Sequence, residues 1–144
     1  MSTIVANRFR FLLTQRLIHF GTDVFRMILM GPAFVFDRVI HRGYADVTAG
    51  ELPTANGYTV GGVILAGVAI TENNVAHRTE ITWGNAVWTA SGAGITARGA
   101  IIYNDTLVTA PHIRPIIQYI DFGGNQTAGA GGTFTVASPA TFIG

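Results

Sequence analysis

Four histidines, eight acidic residues and a few serines are the groups in this chain with chemistry to offer. The histidines are His19, His41, His77 and His112. No two stand in an HxH or HExxH spacing, so the sequence offers no zinc site. A nucleophilic triad needs a serine beside a histidine and a carboxylate, and the chain has no GxSxG elbow to present one. Ser91 lies in a glycine-rich stretch and Ser138 near the end. Paired carboxylates for glycoside hydrolysis would have to come from scattered acids. Asp105 and Asp121 each follow a strand-like run, where aspartate also serves as a turn former.

The glycine pairs Gly61-Gly62 and Gly123-Gly124 lack the Lys-Ser/Thr and following helix of a phosphate loop. Turn geometry with positive φ accounts for them. Trp83 and Trp88 are either an exposed platform, as in a lectin, or anchors in a core or subunit interface. Neither a catalytic residue nor a cofactor or metal site is expected.

Composition points the same way. The 144 residues suit one domain, with no cysteine and a net charge of +1. Such a charge gives no field to draw the chain to nucleic acid. Only 12% of residues are charged against 49% hydrophobic, and mean hydropathy is +0.38. A free monomer needs a more charged surface than this, so neighbours are expected to cover part of it. The basic residues are all arginine; a genome rich in G and C explains that first, and selection for interface contacts would add to it. The uncharged stretches 52–71 and 123–144 are broken by glycine and polar residues, so no spanning helix is expected. No signal peptide is read at the start, where arginines are interspersed among apolar residues.

These side chains must be positioned by an N-terminal helix and a series of strands. Val5, Phe9, Leu12, Leu13 and Leu17 recur near helical spacing, which predicts a helix over residues 1–20. Residues 23–30 read as a central strand with both faces apolar. Residues 34–40 read as a short strand or irregular crossing, and 41–62 as a long loop. Strands follow over 63–70, 78–83, 87–89, 95–103, 116–122 and 133–137, with 78–83 pairing back on 63–70. Turns and a glycine loop over 123–132 separate them. The expected fold is mainly β: an antiparallel β-sandwich, or partly open barrel, over 21–144 with the helix in front. Within it Arg98 sits in an apolar strand, and a buried ion pair is expected, with Asp121 first and Glu80 as the alternative partner.

Three stretches carry a family resemblance: Gly57-Tyr58-Thr59-Val60-Gly61-Gly62 with Leu65-Ala66-Gly67-Val68, the run from Ile95 to Asp105, and Tyr119-Ile120-Asp121-Phe122-Gly123 leading to Gly132-Thr133-Phe134-Thr135-Val136. Together they resemble a family of short structural proteins of tailed bacteriophages, except over residues 31–56. The resemblance implies a virion component, assembled in the host cytoplasm and present in many copies. First among its roles is a capsid decoration, or cement, protein bound to the major capsid protein. The alternative is a tail, collar or fibre component, and a lectin-like module is a further one. A homodimer or trimer is expected, with no nucleic-acid or membrane partner. The expected interface residues are Phe9, Leu12, Leu13 and Arg16 on the helix, Phe34 and Phe36 after the first strand, and Trp83 and Trp88.

Overall fold

The computed structural model describes residues 2–144. Its strands all pair antiparallel. The chain is mainly β: the described residues form several open sheets and no closed barrel, with one α-helix among them near the N-terminus. This is the sandwich-like class the alternating runs called for.

The first departure is at the start. Residues 1–20 are not one helix: Ser2–Val5 form strand β1, and only Asn7–Thr14 form helix α1. Thr3, Ile4 and Val5 are β-branched, and pairing their backbone with a sheet edge wins over helical periodicity. The extended backbone of Ala6 separates the two elements. Arg16, at φ 59°, turns the chain away after the helix.

The main sheet has the order β1-β10-β7-β2-β3. Strand β2 is Phe25–Met30, β3 is Val63–Leu65, β7 is Ile95–Asn104 and β10 is Ile116–Ala128. Strand β2 is buried on both faces, as its unbroken apolar run required. One face carries Phe25, Met27 and Leu29 in register with Asn104, Ile102 and Ala100 of β7. Phe20 stacks on Phe25 at 5.2 Å there, with Trp83 beside both. Phe9 of α1 meets Phe20 edge-on. The other face carries Ile28, Ile101 and Tyr119, and residues 31–62 fold over it.

A second sheet has the order β12-β5-β4, with β4 at Ala69–Asn73, β5 at Arg78–Thr82 and β12 at Ala140–Ile143. The sequence reading made one strand of 63–70. Gly67, at φ +67°, instead ends the run in the main sheet and redirects the chain into the second. Residues 78–83 do pair back as a hairpin, on β4. Strand β12 lies beyond 133–137, the last strand that the sequence pattern predicts. It is held to the main sheet by Gln118, fully buried, whose Nε2 donates to the Ala140 carbonyl at 2.7 Å while Thr141 donates to its Oε1 at 3.0 Å.

Strands β6 (Ala86–Thr89) and β11 (Thr133–Val136) form a third pair. Phe134 and Val136 share one buried face. A short hairpin of β8 (Val108–Thr109) and β9 (His112–Ile113) completes the set. The stretch read as a glycine loop over 123–132 is strand as far as Ala128, with an irregularity between Asp121 and Gln126. The residues facing that pair on β7 are Gly99 and Ala97, so Arg98 lies opposite the bulge.

Candidate assembly surface

Residues 31–62 contain no strand, yet they are held firmly. Glu51 is the centre. The Tyr44 hydroxyl donates to Oε1, and the Tyr58 hydroxyl donates to Oε2 at 2.6 Å. The Gly61 N–H donates to Oε2 at 2.8 Å. The Tyr58 oxygen in turn accepts from the Leu29 N–H at 3.2 Å, which ties the network to β2. Tyr103 donates to the Gly61 carbonyl at 3.0 Å and stacks on Tyr44 at 4.8 Å. Burial raises the pKa of Tyr44 and Tyr58, and their bonds to Glu51 raise it further. Burial, with Asp105 nearby, pushes Tyr103 up to about 12. Three donors thus fix the Glu51 side chain between the loop and the main sheet.

The loop built this way presents apolar side chains to solvent. Asp37 organises a turn: its Oδ1 accepts from the Val39 N–H at 2.8 Å and the Ile40 N–H at 3.2 Å. These backbone bonds lower its pKa. His41 accepts from the Asp37 N–H at 2.9 Å and lies against the rings of Phe34 and Phe36. Both rings also pack on Tyr119. From this rigid base Val35 is 80% exposed and Ile40 62%, with Val39 also exposed. The segment is an irregular crossing, not a strand.

The residues expected at an interface divide differently. Phe9, Leu12, Phe36, Trp83 and Trp88 are buried in the chain's own core, and Leu13 and Phe34 pack against it. For the five buried side chains this corrects the assignment to a partner surface; Leu13 and Phe34 are half-buried. The helix stripe and the tryptophans cover the chain's own sheets, whose apolar faces need that cover. Trp83 packs beside the stacked Phe20 and Phe25, and Trp88 lies between Tyr58 and Phe134. The indole N–H of Trp88 is buried without an acceptor among the described residues. Neither ring is available as a sugar platform. Arg16 alone of the set is exposed.

The expected buried pair of Arg98 and Asp121 does not form either. Both are half-buried and line one small cleft with Tyr119, Phe34 and Ile4, but no ion pair joins them. Beside the bulge Arg98 keeps access to water, so it needs no carboxylate. Asp121 accepts from the Gly123 N–H at 2.8 Å, the turn role. The ion pairs that do form place Asp105 between Arg26 and Arg114, each at 2.9 Å, and Arg78 against Glu80 at 2.9 Å.

Among the described residues, the acids and histidines with chemistry to offer stand apart. Asp105 and Asp121 mark positions six residues apart along β7, about 20 Å, too far for a carboxylate pair. Among the described residues no three of His, Cys, Asp and Glu gather as a metal site. His112 is bonded to Arg8 at 2.8 Å, and His77 lies at the tip of the β4–β5 hairpin. Nor is any helix of the described residues long and apolar enough to cross a membrane.

What remains is apolar surface. Beyond Val35, Val39 and Ile40, the exposed large apolar side chains include Ile64 on β3, Val87 on β6, Ile70 and Val75 on the hairpin, and Phe142 on β12. A groove of about 380 Å³ runs along Phe122, Phe134 and Val136. Sequence reasoning missed these residues because a strand's apolar side chains do not announce which face another layer will cover. The low charge content was the available signal. Protein-family models, curated proteins and solved structures were all searched, and none matches this chain.

Proposed function

We propose that this chain is a virion structural protein, most specifically a capsid decoration protein that binds and stabilises the lattice of a major capsid protein. The observation that carries the reading is the apolar turn of Val35, Val39 and Ile40. It is exposed, yet held from below by Phe34, Phe36, His41 and the Glu51 network. A pre-organised apolar projection on a chain of low charge fits a surface that a partner covers, because ordering it costs little more on binding. The sequence resemblance to phage structural proteins supplies the kind of assembly. A tail, collar or fibre component is the second reading within that class.

The test is a triple variant, Val35→Ser with Val39→Ser and Ile40→Ser, carried on the phage genome. Exposed positions leave the fold intact, so the thermal midpoint of the isolated protein stays near that of the wild type. Incorporation into purified particles is expected to fall sharply. Wild-type incorporation of a folded triple variant would remove this surface from the reading.

A further inference from the structure

The second sheet has two edges of different character. Strand β12 is tied to the main sheet through Gln118. Strand β4 is free. Ala69, Ile70, Thr71 and Glu72 are all exposed. The row Thr141–Ile81–Ile70 runs across one face of this sheet: Thr141 and Ile81 are buried, but Ile70 is 54% exposed. The sheet therefore overhangs the body of the molecule by one strand. An edge of this kind offers a row of unpaired N–H and C=O groups. The usual protections are lysine, proline or a bulge. Strand β4 carries none of them, and Glu72 is its one charge.

We propose that β4 pairs antiparallel with β4 of a second copy about a two-fold axis through Thr71. The strand itself argues for this occupant and register. Thr71 is the midpoint of Ala69–Asn73, so a two-fold there pairs all five residues of each strand. Threonine meets threonine on the axis, a favourable cross-strand pair. Each Ile70 lies opposite the other copy's Glu72, and the two glutamates never face each other. An axis through Glu72 would oppose like charges, and one through Ile70 would leave Glu72 and Asn73 outside the strand-to-strand pairing. The two Ile70 side chains become diagonal neighbours on one face. The apolar row that runs off the edge of one copy then meets the other copy's Ile70 on the diagonal, with Glu72 directly across. This goes beyond the virion reading and does not depend on it.

The register makes opposite charges at Ile70 behave differently. Sedimentation equilibrium of the full chain would be run on the wild type, Ile70→Glu and Ile70→Lys. The wild type is expected to dimerise. Ile70→Glu sets a second carboxylate against the other copy's Glu72 on both sides of the axis, raising the dimer dissociation constant by on the order of tenfold or more. Ile70→Lys sets an ammonium there, so its dimer persists and weakens with added salt. Amide exchange over 69–73 in the wild type should slow with concentration, which separates strand pairing from misfolding of a variant. A monomeric wild type would overturn the proposal, as would glutamate and lysine variants that dimerise equally. A monomer found at high copy number in particles would overturn it while leaving the virion reading standing.

Discussion

The Tyr58 hydroxyl donates to Glu51 at 2.6 Å while accepting from the backbone of Leu29, so one side chain joins the long loop to the central strand. Tyr58→Phe should leave the buried Leu29 N–H without this acceptor and one Glu51 oxygen short of a donor. The expected loss is about 1–3 kcal/mol, read from denaturant unfolding. Glu51→Ala should lose more, since two hydroxyls and the Gly61 N–H then lack their acceptor. A Tyr58→Phe protein as stable as the wild type would mean the loop is held by packing alone.

Alkali should weaken the fold through the same groups. All four tyrosines have raised pKa values, with burial the largest cause in each. Their ordinary value is 10.0. A group whose folded pKa is raised contributes stability that is complete below its unfolded pKa and lost as pH climbs from there through the folded value. Denaturant midpoints should therefore hold up to about pH 9 and decline above pH 10. In Tyr58→Phe the decline should be shallower. A midpoint indifferent to pH between those values and pH 11.5 would contradict the assignment.

Arg98→Met provides the opposite expectation. A buried ion pair would lose about 3–5 kcal/mol when one partner is removed. Arg98 is only half-buried and has no carboxylate in salt-bridge range among the described residues, so the change should stay within about 0.5 kcal/mol. A large destabilisation in thermal or denaturant unfolding would restore the pair that the sequence suggested.

The two glycines before β3 are not equivalent. Gly62 has φ +72°, and a Cβ there would fall 1.8 Å from the Met27 carbonyl oxygen. Gly61 has φ +97° with open space around it. Gly62→Ala should cost about 4 kcal/mol or more, because backbone has to move. Gly61→Ala should show only the conformational strain, about 1–2 kcal/mol. Equal losses in the two proteins, compared by denaturant unfolding, would mean that β3 can shift away from β2 freely.

Much of the fold was legible because strands that bury one or both faces leave a two-residue or unbroken apolar pattern. Strand β2 and the β4–β5 hairpin are examples. The N-terminus was misread because Val5, Phe9 and Leu12 satisfy helical spacing while Thr3, Ile4 and Val5 satisfy strand preference equally well. Only the open edge of β10 decides between them. The partner surface was less legible. Phe9, Trp83 and Trp88 are large and apolar, but size alone does not say whether a residue fills its own core or a neighbour's. Val35, Val39 and Ile40 are ordinary strand residues in sequence. Their exposure depends on Phe34 and Phe36 turning inward onto Tyr119, a long-range contact, while the Asp37 turn beside them is local. Arg98 looked buried because its neighbours are apolar, and the bulge that gives it access to water leaves no one-residue signature.

The most direct measurement of the proposed role is the number of copies of this chain per purified particle, by quantitative mass spectrometry against the major capsid protein. A ratio near one, or a simple fraction of it extending over the whole shell, is the predicted result. A few copies per particle would move the chain to the tail, collar or fibre. Absence from particles would contradict the structural role itself.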